Sequence, residues 1–425
     1  MTYKIAGIDV HKKMLAVVVA DVAVEGEYEF ERRKFSTSPD TLQLLAEWLI
    51  SNEVEEVVME STAQYWKPVW QTLERYWKPA REKREGAVPS SGAMHLAQAK
   101  SNRGPRGRKN DFADAQRLIK RLVADELVLS FVPDPQQRLW RTVTRKRYQL
   151  TSARVRLQNQ VEALLEEAHI KLSSNVSDLL GVSGRRMLQA IAAGETNPEV
   201  LAGLADGRLR ATRAQLCDAL SACRELNPVY RRLLKLALEE LALMERQMHQ
   251  LDGEISTLLM EYQDVVRRVA EMPGLGVDSA HQIIAEIGPK AAPFASAKEL
   301  ASWVGTCPGE EQSAEECKST KSPKGNRMMR RILNQAAHAA VKMKGTIFEI
   351  TFRRLTARGM KYKAAIWAIA HRLLRVIWKV LHDGVSYEER GPAVSAKSRR
   401  NHINKIIREL RRLGYRVEPP ATARV

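Results

Sequence analysis

The sequence predicts an α/β domain followed by an all-α region. Over roughly the first 130 residues, apolar runs of strand length alternate with amphipathic helical patterns. From Pro135 onward, apolar residues recur at the three- and four-residue spacing that is typical of helices. A chain of 425 residues is long enough for two or three domains, each with a core of its own.

The N-terminal pattern predicts a sheet that opens with a hairpin over residues 3–22, turning at residues 11–13. A third strand is predicted at 28–35. Ser38 and Pro39 then provide start signals for a helix to about residue 51. A strand at 54–59 and an amphipathic helix from residue 65 follow. The order ββ-β-α-β-α is that of a ribonuclease-H-like sheet. Residues 77–109 are polar, with one apolar piece at 93–99, so no fifth strand is assigned.

Four acidic residues lie at the ends of predicted strands or at the start of a predicted helix. Asp9 and Glu60 each stand at the carboxyl end of a predicted strand, where ligands collect in α/β sheets. Asp111 and Asp114 lie three residues apart at a predicted helix start, so they share one helical face. Alone, that pair is better explained as an ordinary helix beginning. Together, the four carboxylates are the oxygen ligands that Mg²⁺ prefers, with room left for phosphate oxygens.

The charge of the chain indicates a polyanionic partner. Lys and Arg number 68 against 50 Asp and Glu, giving +18, and nucleic acid is the expected partner. The run 101–109, with Arg106, Arg108 and Lys109, is either a solvated loop or a phosphate-binding segment, and a basic tail from residue 394 is a further polyanion-binding candidate. No apolar run is as long as a membrane-spanning helix and no signal peptide is evident, so a cytoplasmic protein is expected.

The middle of the chain has a seven-residue apolar repeat. Val143, Leu150, Leu157 and Leu164 are spaced by seven, and residues 234–258 keep a 3-4 apolar spacing. Such repeats predict a coiled coil or a long antiparallel hairpin, and we expect this seam to support an oligomer. Residues 181–206 are interpreted as the crossing between the two long helices.

The C-terminal part contains a helix-hairpin-helix pattern at 273–288. Its glycines, Gly274 and Gly276, allow backbone N–H groups at a helix start to meet a phosphate. An irregular loop follows at 306–327 and leads into a basic helix start. Composition cannot choose among its serines at 313, 319 and 322. Two further helices are expected, at 328–343 and 361–381.

These motifs together resemble the DEDD transposases of insertion-sequence family one-ten, the bridge-RNA-guided recombinases. The resemblance rests on Gly-Ile-Asp-Val-His-Lys, Met-Glu-Ser-Thr, Arg-Lys-Asn-Asp-Phe-Ala-Asp-Ala, Pro-Gly-Leu-Gly and the Gln-Ser…Lys-Gly-Asn-Arg loop. It implies a RuvC-like domain with a four-carboxylate metal site, a coiled coil that joins protomers, and a transposase domain with a nucleophilic serine. By motif position, the metal ligands and catalytic acids are Asp9, Glu60, Asp111 and Asp114, and the nucleophile is Ser313.

The resulting expectation is a RuvC/RNase-H-like domain at 1–130, a helical coiled-coil region at 131–264, a helix-hairpin-helix transposase domain at 265–385 and a basic tail at 386–425. The protein is expected to cut and rejoin double-stranded DNA, donor and target, through a Mg²⁺-dependent, serine-linked intermediate. A guide RNA, a dimer or tetramer and a bacterial or archaeal nucleoid location are also expected. The predicted nucleic-acid-binding residues are Arg106, Arg108, Lys109, Gly274, Gly276, Lys318, Lys321, Lys324 and Arg327.

Three other functions fit parts of the sequence. A junction-resolving nuclease that uses water needs the same carboxylates but no serine. An actin-like or sugar-kinase ATPase also opens with a Gly-Ile-Asp hairpin, but such folds hold phosphate with a glycine in the first turn, where this chain has His11, Lys12 and Lys13. A non-enzymatic architectural binder would leave the four carboxylates without a role.

Overall fold

The computed structural model describes residues 3–23, 28–61, 63–79, 93–99, 110–307, 311–313, 316–319, 322–391 and most of 403–412. At 311–313 and 316–319 it describes the backbone only. The chain divides into two compact units, 1–133 and 134–425. The four-domain organisation stays a prediction, and the predicted tail lies largely outside the described residues.

Unit 1 contains a five-stranded mixed sheet with the order β3-β2-β1-β4-β5. The first three strands are antiparallel neighbours, and β4 and β5 run parallel to β1. This confirms the predicted ribonuclease-H-like sheet. The strands are β1 (Lys4–Val10), β2 (Met14–Asp21), β3 (Phe30–Ser36), β4 (Val54–Glu60) and β5 (Ala93–Ala97); the helices are α1 (Pro39–Ser51), α2 (Trp66–Thr72), which continues into a π-helical turn (Leu73–Trp77), and α3 (Asp111–Val123).

The two faces of this sheet bury different helices, because side chains of a strand alternate between faces. Ile8 of β1 faces a core that contains Leu45 and Leu49 of α1. Ile5 faces the other core, which contains Leu118 of α3. The same alternation directs Gly7 and Asp9 toward α3.

The fifth strand, which sequence reasoning did not assign, is β5 at one edge of the described sheet. Its first three residues are only half-buried, so its sequence lacks the continuous apolar run of a central strand. His95 of β5 meets Glu56 of β4, with Nε2 and Oε2 2.7 Å apart, and the Tyr3 hydroxyl also donates to Glu56. Polar cross-strand contacts therefore replace part of the apolar packing at this edge.

Unit 2 begins with a long antiparallel helical hairpin. Its arms are α4 (Pro135–Glu167) and α9 (Pro228–Leu258). Arg147 Nε lies 3.0 Å from Asp252 Oδ1, and Arg154 Nε lies 3.4 Å from Glu245 Oε1, so the two arms run in opposite directions. The segment predicted as a plain crossing is itself helical. Between the arms lie α5 (Leu172–Asn175), α6 (Val182–Ala193), α7 (Pro198–Gly203), α8 (Arg213–Ala219) and a 3-10 turn (Ser221–Glu225).

The apolar repeat of α9 closes largely within the chain. Leu234 and Leu241 are buried in one core with Leu157 and Val161 of α4. From sequence alone, this seam is too apolar to stay exposed in a monomer, which predicts an oligomer. The structure corrects that argument, because α4 supplies the covering surface.

The rest of unit 2 is a helical cluster around α15. Buried residues of α15, among them Ile366, Ile369 and Leu373, form its centre. The elements are a 3-10 turn (Met260–Tyr262), α10 (Gln263–Ala270), α11 (Val277–Ile287), α12 (Ala297–Val304), the hairpin β6 (Glu311–Ser313) and β7 (Glu316–Ser319), α13 (Arg327–Ala340), α14 (Ile347–Ala357) and α15 (Tyr362–His382). Sequence reasoning missed α14 as a separate helix. In the part of the chain that is described, no helix combines the length and apolarity needed to cross a membrane.

Candidate metal centre and nucleophile hairpin

The candidate metal centre is positioned by a close approach of β1 and α3. A Cβ on Gly7 would lie 2.3 Å from the backbone oxygen of Ala115, a separation that no side chain tolerates. Glycine therefore allows α3 to sit directly on β1. Asn110 caps α3, its side chain accepting from the N–H groups of Phe112 and Ala113. The strand end and the helix start thus lie side by side.

Asp9, His11 and Asp111 form a compact group. His11 Nε2 lies 3.1 Å from Asp9 Oδ2 and 3.4 Å from Asp111 Oδ1. One potential ligand atom from each of the three lies within 4.8 Å of the others. The predicted pair from β1 and α3 is therefore brought together, and His11 joins it.

Glu60 and Asp114 stand at the margin of this group. The parallel register pairs Gly7 with Val58 and Ile8 with Met59, so Asp9 and Glu60 follow at neighbouring positions of β1 and β4. Asp114 lies on the first turn of α3 and forms an ion pair with Arg117.

The electrostatics of Asp9 fit a bound cation. Burial raises the pKa of Asp9; His11 acts in the opposite direction, and the negative charges of Asp114, Asp111 and Glu60 raise it further. A buried carboxylate that three other carboxylates repel is stabilised by a divalent cation, and the oxygen-rich donor set fits Mg²⁺. The residues present therefore fit the expected metal.

His11 is the site residue that sequence reasoning missed. In the sequence it is only part of a predicted turn whose lack of glycine argues against an ATPase. Its backbone N–H donates to the oxygen of Met14 at 3.0 Å, so the residue lies in the turn that joins β1 to β2. The available signal was its spacing, because a histidine two residues beyond a strand-end aspartate lies at the same sheet edge.

Ser313, the predicted nucleophile, ends strand β6 of the short hairpin in unit 2. It pairs with Glu316 across an antiparallel ladder, and Ser319 ends β7 opposite Glu311. The alternative serines thus differ in position: Ser313 is next to the hairpin turn, and Ser319 is at the open end. Ser322 accepts a hydrogen bond from Arg330 Nη2 at 3.2 Å.

The segment after this hairpin is fixed to the helical core. Asn326 caps α13 and donates through Nδ2 to Glu286 Oε2 at 2.9 Å. Glu286 is 2% exposed, and Arg145 holds both of its oxygens, at 2.8 and 2.9 Å. A Cβ on Gly325 would lie 2.1 Å from the backbone of Val304. The residues that lead into α13 are therefore tightly packed against the helical core.

The two glycines predicted to bind phosphate have different surroundings. Gly274 has φ of +80°, and a Cβ there would lie 2.2 Å from the backbone oxygen of Ala336 on α13. Gly276 precedes α11 with nothing within 4 Å of a built Cβ. Gly274 therefore permits helix packing, and Gly276 is the one whose surroundings leave room for a phosphate.

The other predicted nucleic-acid-binding residues are distributed as follows. Lys324 and Arg327 are exposed at the start of α13. Lys318 lies on β7, where only the backbone is described. Arg106, Arg108, Lys109 and Lys321 lie outside the described residues.

A ribonuclease-H-like sheet with carboxylates gathered at its strand ends, joined to a helical unit, defines a RuvC-like class of protein. Comparison with known families narrows this class. The IS110 DEDD transposase model matches residues 6–170, and the model of the transposase IS116/IS110/IS902 family matches residues 266–350. Together these matches span more than half of the 425 residues. The chain belongs to the IS110 family of DEDD transposases.

Two curated relatives agree with this assignment. The insertion element IS110 uncharacterized 43.6 kDa protein of Streptomyces coelicolor is 29% identical over 154 residues, covering 36% of this chain and 37% of that protein. The insertion element IS900 uncharacterized 42 kDa protein of Mycobacterium paratuberculosis is 29% identical over 161 residues, covering 36% of this chain and 40% of that protein. In both cases the match spans less than half of the relative.

Among solved structures, Thermus thermophilus RuvC aligns with this chain. The structure in complex with a Holliday junction substrate is 14% identical and covers 30% of this chain and 99% of RuvC, with a TM-score of 0.21. A second RuvC structure is 15% identical, with the same coverage and a TM-score of 0.22. The fold assignment rests on the strand order and the family match.

Proposed function

We propose that this protein is an insertion-sequence transposase that cuts and rejoins DNA at a Mg²⁺ site formed by Asp9, Glu60, Asp111 and Asp114. The observation that supports this most strongly is that Asp9 lies beside Asp111 and is repelled by the charges of Asp111, Asp114 and Glu60. Such a concentration of negative charge at a sheet edge is unfavourable unless a cation compensates it.

Each residue of this centre has a distinct role in the proposal. When bound, Mg²⁺ polarises the scissile phosphate and stabilises the charge that develops on it. Asp9, buried on β1, is the central ligand, and Asp111 and Glu60 provide oxygens from the helix and the neighbouring strand. His11 holds Asp9 and Asp111 in place through Nε2. Arg117 keeps the Asp114 carboxylate oriented on the first turn of α3.

Ser313 is the proposed nucleophile. Its Oγ forms a bond to the phosphorus of the scissile phosphodiester as one P–O bond of the DNA backbone breaks. The serine proton leaves to solvent or a nearby base, and the departing DNA oxygen takes up a proton. Because one phosphodiester replaces another, the end can be rejoined without ATP. Lys318, Lys321, Lys324 and Arg327 would stabilise the developing negative charge.

The proposal includes three partners. Double-stranded DNA is the substrate, and the net charge of +18 favours contacts to its backbone. A guide RNA is proposed from the family resemblance and would specify the DNA sites. A second copy of the chain is proposed because α9 has a second apolar stripe on its outer face, with Val229, Leu233, Leu236 and Leu243 all at least 45% exposed.

The nucleophile is tested by comparing Ser313→Ala with Ser319→Ala. We expect Ser313→Ala to lose both recombination and the covalent protein–DNA adduct while still binding RNA and DNA, and Ser319→Ala to keep all of them. Denaturing gel electrophoresis of end-labelled DNA measures the adduct. If Ser313→Ala nicks DNA at the wild-type rate, a junction-resolving nuclease that uses water becomes the better account.

The guide RNA is tested separately. Purified protein treated exhaustively with ribonuclease should lose recombination and regain it when the co-purified RNA is added back. Full activity of the ribonuclease-treated protein would remove the guide from the proposal and leave the recombinase intact.

A further inference from the structure

The edge strand β3 and the helix α3 face each other through three paired contacts. Positions 30, 32 and 34 of β3 point toward α3, and positions 112, 116 and 120 of α3 lie on one helical face. Lys34 Nζ lies 5.6 Å from the ring centroid of Phe112, and Lys120 Nζ lies 5.8 Å from that of Phe30. Between them, the Gln116 side-chain oxygen accepts from Arg32 at 2.8 Å. The two outer contacts therefore each pair a lysine with a phenylalanine ring, and the middle contact pairs an arginine with an amide.

The β3 residues that contact α3 are aligned across the sheet with Asp9 and its neighbours on β1. The sheet register aligns Asp9 of β1 with Ala16 of β2, and Ala16 with Lys34 of β3. The next row on the same face aligns Gly7 with Val18, and Val18 with Arg32. With strands about 4.8 Å apart, the backbone of Lys34 lies about 10 Å from that of Asp9. The residue between them on β2 is a small alanine.

We propose that Lys34 and Arg32 form a binding site for backbone phosphates of the DNA strand held at the carboxylate centre. This rests on the proposed function, since it is that centre which binds the reacting phosphate. Successive phosphates of one strand are about 3.4 Å apart along the helix axis, so a separation of about 10 Å along that axis corresponds to a phosphate about three nucleotides from the reacting one.

The charge and exposure of these two residues favour this role. Both side chains are exposed, and within the described ranges neither forms an ion pair with a carboxylate. Phe112 and Gln116 hold the two cations above α3, which reduces the entropy that each would lose on meeting a phosphate. The site contacts backbone only, so it contributes affinity and register without reading sequence.

The same strand provides a matched control. Arg33 is equally exposed, but it points to the opposite face of the sheet, where its guanidinium lies 5.1 Å from the ring centroid of Phe35. Arg33→Gln therefore removes one positive charge from the same strand, on the face that does not contain Asp9.

The test measures binding without cleavage. The full-length protein, in EDTA, is titrated against a fluorescein-labelled 40-base-pair duplex at several salt concentrations. Each phosphate contact contributes about 0.9 to the slope of log affinity against log salt. We expect the double variant Arg32→Gln/Lys34→Gln to lower this slope by about 2 and to weaken binding about tenfold or more at 0.15 M salt. Arg33→Gln should change both by much less.

A direct readout accompanies the titration. Acetylation of lysines by an N-hydroxysuccinimide ester, read by mass spectrometry, should slow at Lys34 at least fivefold when duplex is present and should be unchanged at Lys235, exposed on α9. Equal losses for Arg33→Gln and the double variant, or unprotected Lys34, would overturn the site. Because no divalent cation is present, a wild-type protein that fails to cleave DNA with Mg²⁺ would refute the proposed function independently of this result.

Discussion

Gly7 of β1 and Ala115 of α3 touch backbone to backbone: a Cβ on Gly7 would lie 2.3 Å from the Ala115 oxygen and 3.0 Å from Ile119 Cγ1. This contact lies two residues before Asp9 and one helical turn after Asp111. Because neither backbone can yield without displacing the other, the glycine determines how closely the two carboxylates approach.

Gly7→Ala should therefore disrupt the candidate metal centre without touching a ligand. The added methyl group must push α3 away from β1, at a cost of about 1–3 kcal/mol in the free energy of unfolding. We expect Mn²⁺ binding, measured by electron paramagnetic resonance, to weaken at least tenfold. In Gly253→Ala, on α9, the new methyl group meets nothing within 4 Å, so that variant should keep or slightly gain stability. Wild-type Mn²⁺ affinity in Gly7→Ala would show that the contact does not set the site.

Asp9→Asn distinguishes two effects of the crowded carboxylates: the repulsion that lowers stability without a cation, and the cation binding that raises it. Removing the buried charge relieves repulsion from Asp114, Asp111 and Glu60, so the free energy of unfolding in EDTA should stay the same or rise. A cation at a hundred times its dissociation constant stabilises the wild type by about 2.7 kcal/mol, and the variant should lose this increment. Thermal unfolding with and without Mg²⁺ measures both.

Two results would contradict this interpretation of Asp9. One is a clear loss of stability in EDTA, which would mean that the carboxylate has a structural role. The other is a Mg²⁺-induced stabilisation equal to that of the wild type. Asp21→Asn, at the far end of β2, provides a comparison outside the cluster.

The sequence predicted the elements whose apolar pattern is regular. Strands β1, β2 and β4 are predicted because they are nearly continuous apolar runs, and the acids Asp9 and Glu60 stand out at the ends of β1 and β4. β5 is not assigned from the sequence because it has only five residues, its first three are half-buried, and the polar residue among them, His95, is satisfied by Glu56. Strand propensity and apolar pattern are less informative where a strand is only partly buried.

Parts of the site could not be predicted from pattern because they depend on tertiary contacts. The importance of Gly7 depends on a helix more than a hundred residues later in the chain, and nothing around Gly7 indicates which residue will meet it. The heptad spacing correctly indicated an apolar seam, but it could not say whether the covering surface came from this chain or another. His11 was visible as a residue, yet its role depended on Asp111 being folded back beside it.

The surroundings of Glu286 lead us to expect that the stability of unit 2 depends on pH. Burial by itself would raise the pKa of Glu286, but the hydrogen bond from Arg145 and the charges of Arg141 and Arg145 outweigh it, so the pKa lies below its ordinary value of 4.5. A carboxylate with a depressed folded-state pKa adds stability that is fully present above the unfolded-state value. That stability is lost as the pH falls below 4.5 and through the folded-state pKa.

Glu286→Gln should therefore cost about 3 kcal/mol at pH 7, because the largely buried guanidinium of Arg141 loses the carboxylate charge that compensates it. The difference in the free energy of unfolding between wild type and variant should shrink as the pH falls from 5 toward 3, as followed by urea denaturation. Glu239→Gln, at an exposed position on α9, should show neither effect. A difference that stays constant across this pH range would mean that the charge of Glu286 is not what stabilises the fold.

The two apolar faces of α9 should respond oppositely to mutation. Leu241 is 2% exposed and packs in the core shared with α4, so Leu241→Ala should lower the free energy of unfolding by about 2–5 kcal/mol. Leu236 is 61% exposed and Leu243 is 47% exposed on the other face. Replacing both with Lys removes little intrachain packing, since neither belongs to the core shared with α4. That double variant should keep the melting temperature of the isolated chain and lose self-association, which sedimentation velocity measures. If instead Leu236→Lys/Leu243→Lys sediments like the wild type, the outer stripe is not the surface through which two copies of this chain meet.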